Sequence, residues 1–235
     1  MPKIILKPSN EKFDIQICIP TYKRENELEV LFQSIRNHLD DVDYNLYFLL
    51  NGANENVKKI VLEKLAIYNN TGVVIFEENI KDGVFTWPFF NLPQGLFWVV
   101  GDDDLLTERS REAIKKAIEY DLTILNYDLY DNQLKKKLKP NYLGSLMPSK
   151  NIEMDIKSVF SIFGDKLTFI SSVIINSKIL TSNFASSEPK SFQYASLIYN
   201  SISKSKRKAS IFFEKKICLK QRGNNVLYED RSVTD

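Results

Sequence analysis

The chain has 235 residues, of which 43% are hydrophobic and 26% are charged, and this ordinary composition excludes a mainly disordered or fibrous protein. The formal net charge of +2 gives no whole-molecule reason to expect nucleic-acid binding. Two cysteines, each inside an apolar segment, do not make a disulfide framework and therefore favour a reducing compartment.

The first half of the chain alternates between predicted strands and helices. The first strand, 15–20, is expected to stop at a proline. Further strands are expected at 45–50, 73–76, 96–100 and 122–127, with helices at 25–39, after Asn54, and at 108–120. The stretch 77–94 is expected to be a short packed helix or loop rather than a regular element. The alternation predicts an α/β fold, a mostly parallel sheet flanked by helices, that binds ligands at the carboxyl ends of its strands.

The second half has a less regular pattern. The polar, lysine-rich stretch 132–150 is interpreted as a hairpin or a solvated excursion. Helices are expected at 155–163 and about 190–203, a strand at 167–175, and a final strand or strand pair within 211–219. Since no repeat and no low-complexity linker interrupts the chain, we expect a single domain.

Three consecutive aspartates, Asp102, Asp103 and Asp104, follow the apolar fourth strand. Alternate residues of an extended chain share a side, so Asp102 and Asp104 can converge. Hard carboxylate ligands of this kind, together with substrate phosphates, suit Mg²⁺ or Mn²⁺. The alternative is an acidic turn that only caps the helix beginning near Thr107, but the position at the end of a buried strand favours a functional site.

The loop after the first strand carries the second group of candidates, Pro20, Thr21, Tyr22, Lys23 and Arg24. Such a loop can hold a base or a ribose with its backbone groups. Tyr22 could stack on a base, and Arg24 could bind a phosphate. The alternative is a surface loop with a solvated basic pair.

A general base is harder to assign. The chain contains one histidine, so a Ser-His-Asp or Cys-His mechanism has almost no basis, and the base must be Asp or Glu. The candidates downstream of the aspartates are Glu188 and Asp165. The lysine and arginine cluster at 204–208, followed by 215–216, is either a solvated helix end or a docking site for anionic lipid or a diphosphate-bearing acceptor.

Three segments together resemble the family 2 glycosyltransferases of the GT-A fold. Segment 17–24 is similar to that family's opening strand and nucleotide loop, and segment 97–106 to its strand and D-x-D metal motif. Segment 168–176 is similar to a stretch in bacterial members that build O-antigen and other surface polysaccharides. Two positions differ from the usual pattern of the family. Where many members carry an acidic turn, this chain has Asn51-Gly52, and where many carry a Glu-Asp pair, it has Glu188-Pro189.

The resemblance implies an inverting, metal-dependent enzyme that moves a sugar from a nucleotide-diphosphate sugar to a glycan or lipid-linked acceptor. It implies ligation of Mn²⁺ or Mg²⁺ by Asp104 and Asp102, and a base at Glu188 or Asp165. The implied substrate-binding residues are Pro20, Thr21, Tyr22, Arg24, Asn51, Asp82, Asp102 and Asp103. Within the one domain 1–235, residues 13–130 would form the nucleotide-sugar half and 131–222 the acceptor half, with a tail at 223–235.

Two other classes of function stay open. A nucleotidyltransferase would also place acids near a nucleotide, although neither a P-loop nor a G-x-G-x-x-G segment is present. A catalytically degraded nucleotide- or sugar-binding relative would fit the two departures. We expect a cytoplasmic protein, with peripheral contact at the inner membrane face and no nucleic-acid partner, because no signal peptide and no membrane-spanning segment is found.

Overall fold

The structure is a computed structural model, and it describes residues 2–6, 15–65, 68, 70–144, 146–147, 152–154, 156–163, 169–179 and 209–222. Its strands are β1 (Lys3–Leu6), β2 (Ile15–Thr21), β3 (Asn45–Asn51), β4 (Thr71–Phe76), β5 (Leu96–Val99), β6 (Leu105–Leu106), β7 (Leu122–Tyr130), β8 (Lys137–Lys139), β9 (Ile152–Met154), β10 (Val173–Asn176) and β11 (Ala209–Arg222). Its helices are α1 (Glu25–Leu39), α2 (Glu55–Leu65), α3 (Gly83–Asn91), α4 (Glu108–Ala117) and α5 (Ile156–Phe163), with 3₁₀ turns at Ile170–Ser172 and Ser177–Ile179.

The described strands join one sheet in the order β1-β4-β3-β2-β5-β10-β7-β11-β6, with β8 paired to β7 and β9 to β11. Strands β4, β3, β2 and β5 are parallel to one another, and β1 is antiparallel to β4. Strand β10 is antiparallel to both β5 and β7, so β7 runs in the same direction as β5, and β11 is parallel to β7. The predicted α/β fold with a mostly parallel sheet flanked by helices is confirmed.

The central strands are apolar because both of their faces are covered. Every residue of β2, β3 and β5 is buried, as expected for parallel strands that carry helices on the sheet faces. Helix α2 begins as the sequence predicts, since the Asn54 carboxamide oxygen accepts a hydrogen bond from the backbone N–H of Val57 at 2.9 Å.

Proline does not stop the first strand, which continues through Pro20 to Thr21. The carbonyl of Cys18 accepts from Val100 on the β5 side, and Pro20 faces the same side two residues later. Strand β5 has ended at that level, so no ladder hydrogen bond requires the N–H that proline lacks.

One other expectation about local structure differs from what is observed, since the strand expected from 167 begins only at Val173, after a 3₁₀ turn. Within the stretch 77–94, expected to be a short packed helix or loop, residues 83–91 form a helix that includes Pro88. The aromatic residues of this helix pack on the sheet, with Phe89 4.8 Å from Phe97 between ring centroids. The expected final strand or strand pair is one strand, β11, with two shifts of register. The helix expected at 190–203 lies outside the described residues.

Helix α4 leaves the aspartate segment and is tied to β11 at its first turn. The Thr107 hydroxyl accepts from the backbone N–H of Arg109 at 3.3 Å and donates to the carbonyl of Ile217 at 2.6 Å. The Ser110 hydroxyl donates to the carbonyl of Cys218 at 2.6 Å. These bonds fix the direction in which the chain leaves the aspartates. Among the described residues, no helix is both long and apolar enough to cross a membrane.

We expect Thr107→Ala to lower the free energy of unfolding by about 1–2 kcal/mol, because the helix cap and the bond to β11 are lost together. Urea denaturation followed by circular dichroism measures this change. Thr107→Ser keeps the hydroxyl and should recover most of the loss. Equal stability of the Ala variant and the parent would contradict the anchoring role.

Candidate active site

The candidate site lies at the carboxyl ends of the parallel strands. Strand β2 ends at Thr21, β3 ends at Asn51, and β5 leads through Val100 into the aspartates. Because β2 lies between β3 and β5, the three strand ends are neighbours along one edge of the sheet. Ligands of open α/β sheets bind at this edge.

The aspartates form a tight turn instead of continuing the extended strand. The backbone N–H of Asp104 donates to the carbonyl of Gly101 at 3.1 Å, which closes the turn 101–104, here called the acidic turn. A Cβ atom on Gly101 would lie 2.7 Å from Asp104 Oδ2 and 3.1 Å from Asp103 Oδ1, so a side chain larger than that of glycine would collide with the carboxylates.

Ser171 holds the acidic turn from the second half of the chain. Its hydroxyl donates to Asp104 Oδ2 at 2.6 Å and accepts from the backbone N–H of Gly101 at 2.8 Å. Its carbonyl accepts from the Trp98 indole at 2.8 Å. Ser171 lies in the segment 168–176 that carries part of the family resemblance, but the sequence does not predict a role for it, because nothing local marks a serine that bonds a carboxylate 67 residues away.

Arg24 is the cation that contacts the acidic turn. Its Nη1 atom lies 2.8 Å from Asp102 Oδ1 and 2.6 Å from Asp103 Oδ2, so two carboxylates share one guanidinium nitrogen. In this turn Asp102 and Asp103 converge on Arg24, whereas Asp104 accepts a hydrogen bond from Ser171. The convergence of Asp102 and Asp104 on a metal stays a prediction.

Burial dominates the electrostatics of Asp102, of which 6% is exposed. Desolvation raises its pKa to about 6, and this effect outweighs the lowering by Arg24, while the neighbouring Asp103 carboxylate adds to the rise. The Thr21 hydroxyl is buried and makes no well-formed hydrogen bond to a described residue, yet it lies close enough to Asp102 to lower this pKa. The folded protein therefore holds Asp102 ionised at a free-energy cost.

The loop after β2 presents one aromatic ring to solvent. Pro20 and Thr21 are buried, whereas Tyr22 is 39% exposed, and the Lys23 ammonium lies 4.7 Å from the centroid of the Tyr22 ring. An exposed ring beside the strand ends is compatible with stacking on a flat ligand. The stacking role of Tyr22 stays a prediction.

Asn51 uses its side chain to hold the segment that follows β4. Its carboxamide oxygen accepts from the backbone N–H of Ile80 at 2.8 Å, and its Nδ2 donates to Asn79 Oδ1 at 2.9 Å. Gly52, with a φ of +68°, brings the two backbones so close that a Cβ atom there would lie 2.8 Å from the backbone nitrogen of Asn79. The contact of Asn51 with a base stays a prediction, and such a contact would compete with these internal bonds.

Of the three remaining predicted residues, the structure describes only Asp82. Asp82 is half-buried at the start of α3, and its carboxylate does not cap that helix. Glu188 and Asp165 lie outside the described residues, so their assignment as the general base stays a prediction.

The acidic turn offers the donor atoms that a hard divalent cation prefers. Asp102 and Asp103 each direct one oxygen at the same cationic nitrogen, so the turn already binds positive charge at one point. Carboxylate oxygens are suitable ligands for Mg²⁺ and Mn²⁺. The residues present therefore fit such an ion, although the oxygens of this pair are engaged by Arg24.

Comparisons with known proteins define the fold. No protein-family model and no curated protein matches the chain at a significant level. Among solved structures, residues 1–349 of S. aureus TarS match with a TM-score of 0.67 and 12% identity over 89% of this chain and 60% of that one. The same fragment in complex with UDP-GlcNAc matches with a TM-score of 0.64 and 11% identity over 94% and 62%.

A third structure is the mannosyltransferase PcManGT from Pyrobaculum calidifontis in complex with GDP-Man and Mn²⁺. It matches with a TM-score of 0.58 and 8% identity over 96% of this chain and 62% of that one. The chain shares the fold of these structures, which is the GT-A fold. It spans about three fifths of the length of the neighbours described here.

The raised pKa of Asp102 predicts a pH-dependent effect of Asp102→Asn on stability. The pKa is about 6 in the folded protein, whereas in the unfolded chain it is about 3.9. From about pH 4 to about pH 6 the folded state therefore retains a proton on Asp102 that the unfolded state has lost, and the contribution of Asp102 to stability falls as the pH rises through this window.

Since Asn cannot ionise, the stability of Asp102→Asn relative to wild type should rise by on the order of 2 kcal/mol between about pH 4 and about pH 7. Urea denaturation of both proteins across this pH range measures the difference. A stability difference that does not change with pH would show that burial does not raise the pKa of Asp102.

Asn51→Asp tests the hydrogen bonds that hold the segment after β4. The substitution removes the Nδ2 donor and places a carboxylate against the side-chain oxygen Oδ1 of Asn79, so we expect a loss of about 1–3 kcal/mol in the free energy of unfolding. Asn37→Asp, on the exposed face of α1, makes the same chemical change and should stay within about 0.5 kcal/mol. Similar losses in both variants would argue against a specific role of Asn51.

Proposed function

We propose that this chain is an inverting, metal-dependent glycosyltransferase. It would transfer a sugar from a nucleotide-diphosphate sugar to a glycan or lipid-linked acceptor in bacterial surface polysaccharide synthesis, working in the cytoplasm with peripheral contact at the inner membrane face. The observation that carries the proposal is the contact of Arg24, in the loop after β2, with Asp102 and Asp103 at the end of β5. It joins the predicted nucleotide loop and the predicted metal motif into one site within a GT-A fold.

The donor would lie across the strand ends with its nucleoside over β2 and β3. Tyr22 would stack on the base, and Thr21 and Asn51 would contact the nucleoside from their strand ends. Asp102 would bind the ribose or the metal, and Asp104 would bind the metal. Pro20, Asp82 and Asp103 complete the proposed donor-binding set.

The chemistry follows from the charges that develop during transfer. A carboxylate base, Glu188 or Asp165, would take the proton of the acceptor hydroxyl as its oxygen attacks the anomeric carbon from the face opposite the diphosphate. The glycosidic carbon–oxygen bond to the diphosphate breaks as the new bond forms, so configuration inverts without a covalent enzyme intermediate. Arg24 provides positive charge near the departing diphosphate, which lowers the barrier electrostatically. A bound Mn²⁺ or Mg²⁺ would supply further neutralisation of that leaving group.

The structural neighbours suggest which donors to test first. S. aureus TarS has been crystallised with UDP-GlcNAc and PcManGT with GDP-Man, so uridine and guanosine diphosphate sugars both belong in a panel. Residue 51 is Asn here, where many resembling proteins have an acid. The base preference is therefore an outcome of the experiment.

A thermal-shift panel of nucleotide sugars with and without Mn²⁺ tests the proposal. A donor at a hundred times its Kd stabilises the folded protein by about 2.7 kcal/mol, which corresponds to a rise of roughly 5–10 °C in Tm for a chain of this size. We expect one nucleotide class to give this shift only with Mn²⁺, and Asp104→Asn to lose the Mn²⁺-dependent part. A wild-type Tm that no nucleotide sugar raises would contradict the proposal.

The products formed from the stabilising donor separate the alternative functions. A glycosyltransferase releases a nucleoside diphosphate, through transfer or slow hydrolysis, and mass spectrometry detects it. A nucleotidyltransferase instead releases pyrophosphate from a nucleoside triphosphate. A degraded relative binds its ligand without turnover, an outcome favoured by the engagement of the Asn51 amide in internal bonds.

A further inference from the structure

The acidic turn carries its own cation in the form of the Arg24 side chain. A single nitrogen, Nη1, lies within 2.8 Å of Asp102 and 2.6 Å of Asp103. The two carboxylates are largely buried, with 8% and 13% of their side chains exposed, whereas the Arg24 side chain is 38% exposed. The anions are therefore fixed in the protein, while the cation reaches them from the solvent side and has room to leave.

The position of Arg24 in the chain supports a role for its side chain at the acidic turn. Arg24 occupies the N-cap position of α1, where Ser, Thr, Asp or Asn would satisfy a free backbone N–H, and it makes no such side-chain bond. Its positive charge also lies at the positive end of the helix dipole, which is unfavourable. The contacts with Asp102 and Asp103 compensate for both disadvantages.

Asp102, a proposed metal ligand, is also one of the two carboxylates that hold Arg24. Mg²⁺ binds oxygen ligands at about 2.0–2.1 Å, closer than the hydrogen-bonded nitrogen of Arg24. A divalent cation held by Asp102 would therefore compete with the guanidinium for that carboxylate and repel it. Within the described ranges, no group of three Asp, Glu, His or Cys residues is arranged to hold a metal.

We propose that Arg24 and a divalent cation exclude one another at the Asp102 carboxylate, and that the donor diphosphate receives the guanidinium when the metal enters. The inference rests on the proposed function, since it assumes a diphosphate ligand at this edge of the sheet. Metal and nucleotide then bind together, because the metal displaces Arg24 and the nucleotide provides the displaced charge with a new anion. Without nucleotide, Arg24 keeps the affinity for metal low.

The decisive measurement is Mn²⁺ binding in the absence of nucleotide, followed by the electron paramagnetic resonance signal of free Mn²⁺. Removing the guanidinium removes the positive charge that competes with the metal, so Arg24→Gln should bind Mn²⁺ about tenfold more tightly than wild type. Arg24→Met, which keeps the apolar stem of the side chain, should show the same gain. Circular dichroism establishes that both variants are folded.

Lys23→Gln is the matched control. It removes an equal charge one residue away, from a side chain that lies over the Tyr22 ring. We expect Mn²⁺ affinity within about twofold of wild type, because the effect of Arg24 depends on its direct contacts and exposed charges are screened by solvent and salt. An equal gain in Lys23→Gln, or no gain in either Arg24 variant, would overturn the proposal.

The second part of the proposal is measured with UDP and GDP at a saturating Mn²⁺ concentration, so that the variants carry the same amount of metal. Arg24→Gln should bind the favoured nucleotide about tenfold more weakly than Lys23→Gln does, because the diphosphate has lost its cation. Equal nucleotide affinity in the two variants would overturn the claim that the Arg24 guanidinium moves from the carboxylates to the diphosphate.

The inference and the proposed function fail in different ways. If wild type turns over a nucleotide sugar but the Arg24 variants gain no affinity for Mn²⁺, the exchange is wrong and the glycosyltransferase proposal is unaffected. If neither nucleotide nor nucleotide sugar binds to wild type, the proposed function fails, and the transfer of Arg24 to a diphosphate fails with it.

Discussion

The concentration of negative charge at the end of a fully buried strand is the constraint on which the site depends. Phe97, Trp98, Val99 and Val100 have no exposed surface, and three carboxylates follow them within four residues. Because the strand brings the turn into a poorly solvated position, the repulsion and desolvation of these charges must be compensated by nearby groups. The raised pKa of Asp102 shows that the compensation is incomplete.

Two contacts from distant parts of the chain, together with a glycine in the turn itself, provide this compensation. Arg24 adds positive charge from the loop after β2, Ser171 donates a hydrogen bond from the turn before β10, and Gly101 leaves room for the carboxylates to fold back. Strand β10 can supply Ser171 because it lies antiparallel beside β5, with Ile174 opposite Trp98. The second half of the chain is therefore part of the architecture of the acidic turn, in addition to any contact it makes with an acceptor.

The sequence predicts the framework well and the side-chain contacts poorly, for identifiable reasons. Apolar runs and helical periodicity depend on local sequence, so they locate β2, β3, β5 and the aspartates correctly. The turn at 101–104 breaks the extended geometry from which a convergence of Asp102 and Asp104 is inferred. The contact of Arg24 with Asp102 joins residues 78 positions apart, and it becomes predictable only once β2 and β5 are known to be adjacent.

The internal bonds of the site also limit which ligand the edge of the sheet can accept. Arg24 is bonded to carboxylates and Asn51 to the segment after β4, so a ligand that uses either side chain must exchange internal bonds for its own. Such an exchange of hydrogen bonds changes the free energy little when the ligand matches them, but a buried group left unpaired costs about 1–3 kcal/mol. A ligand without an anion for Arg24 would leave that guanidinium on the aspartates. Discrimination at this edge therefore follows from the internal pairing itself, because only a ligand with complementary charge can replace it.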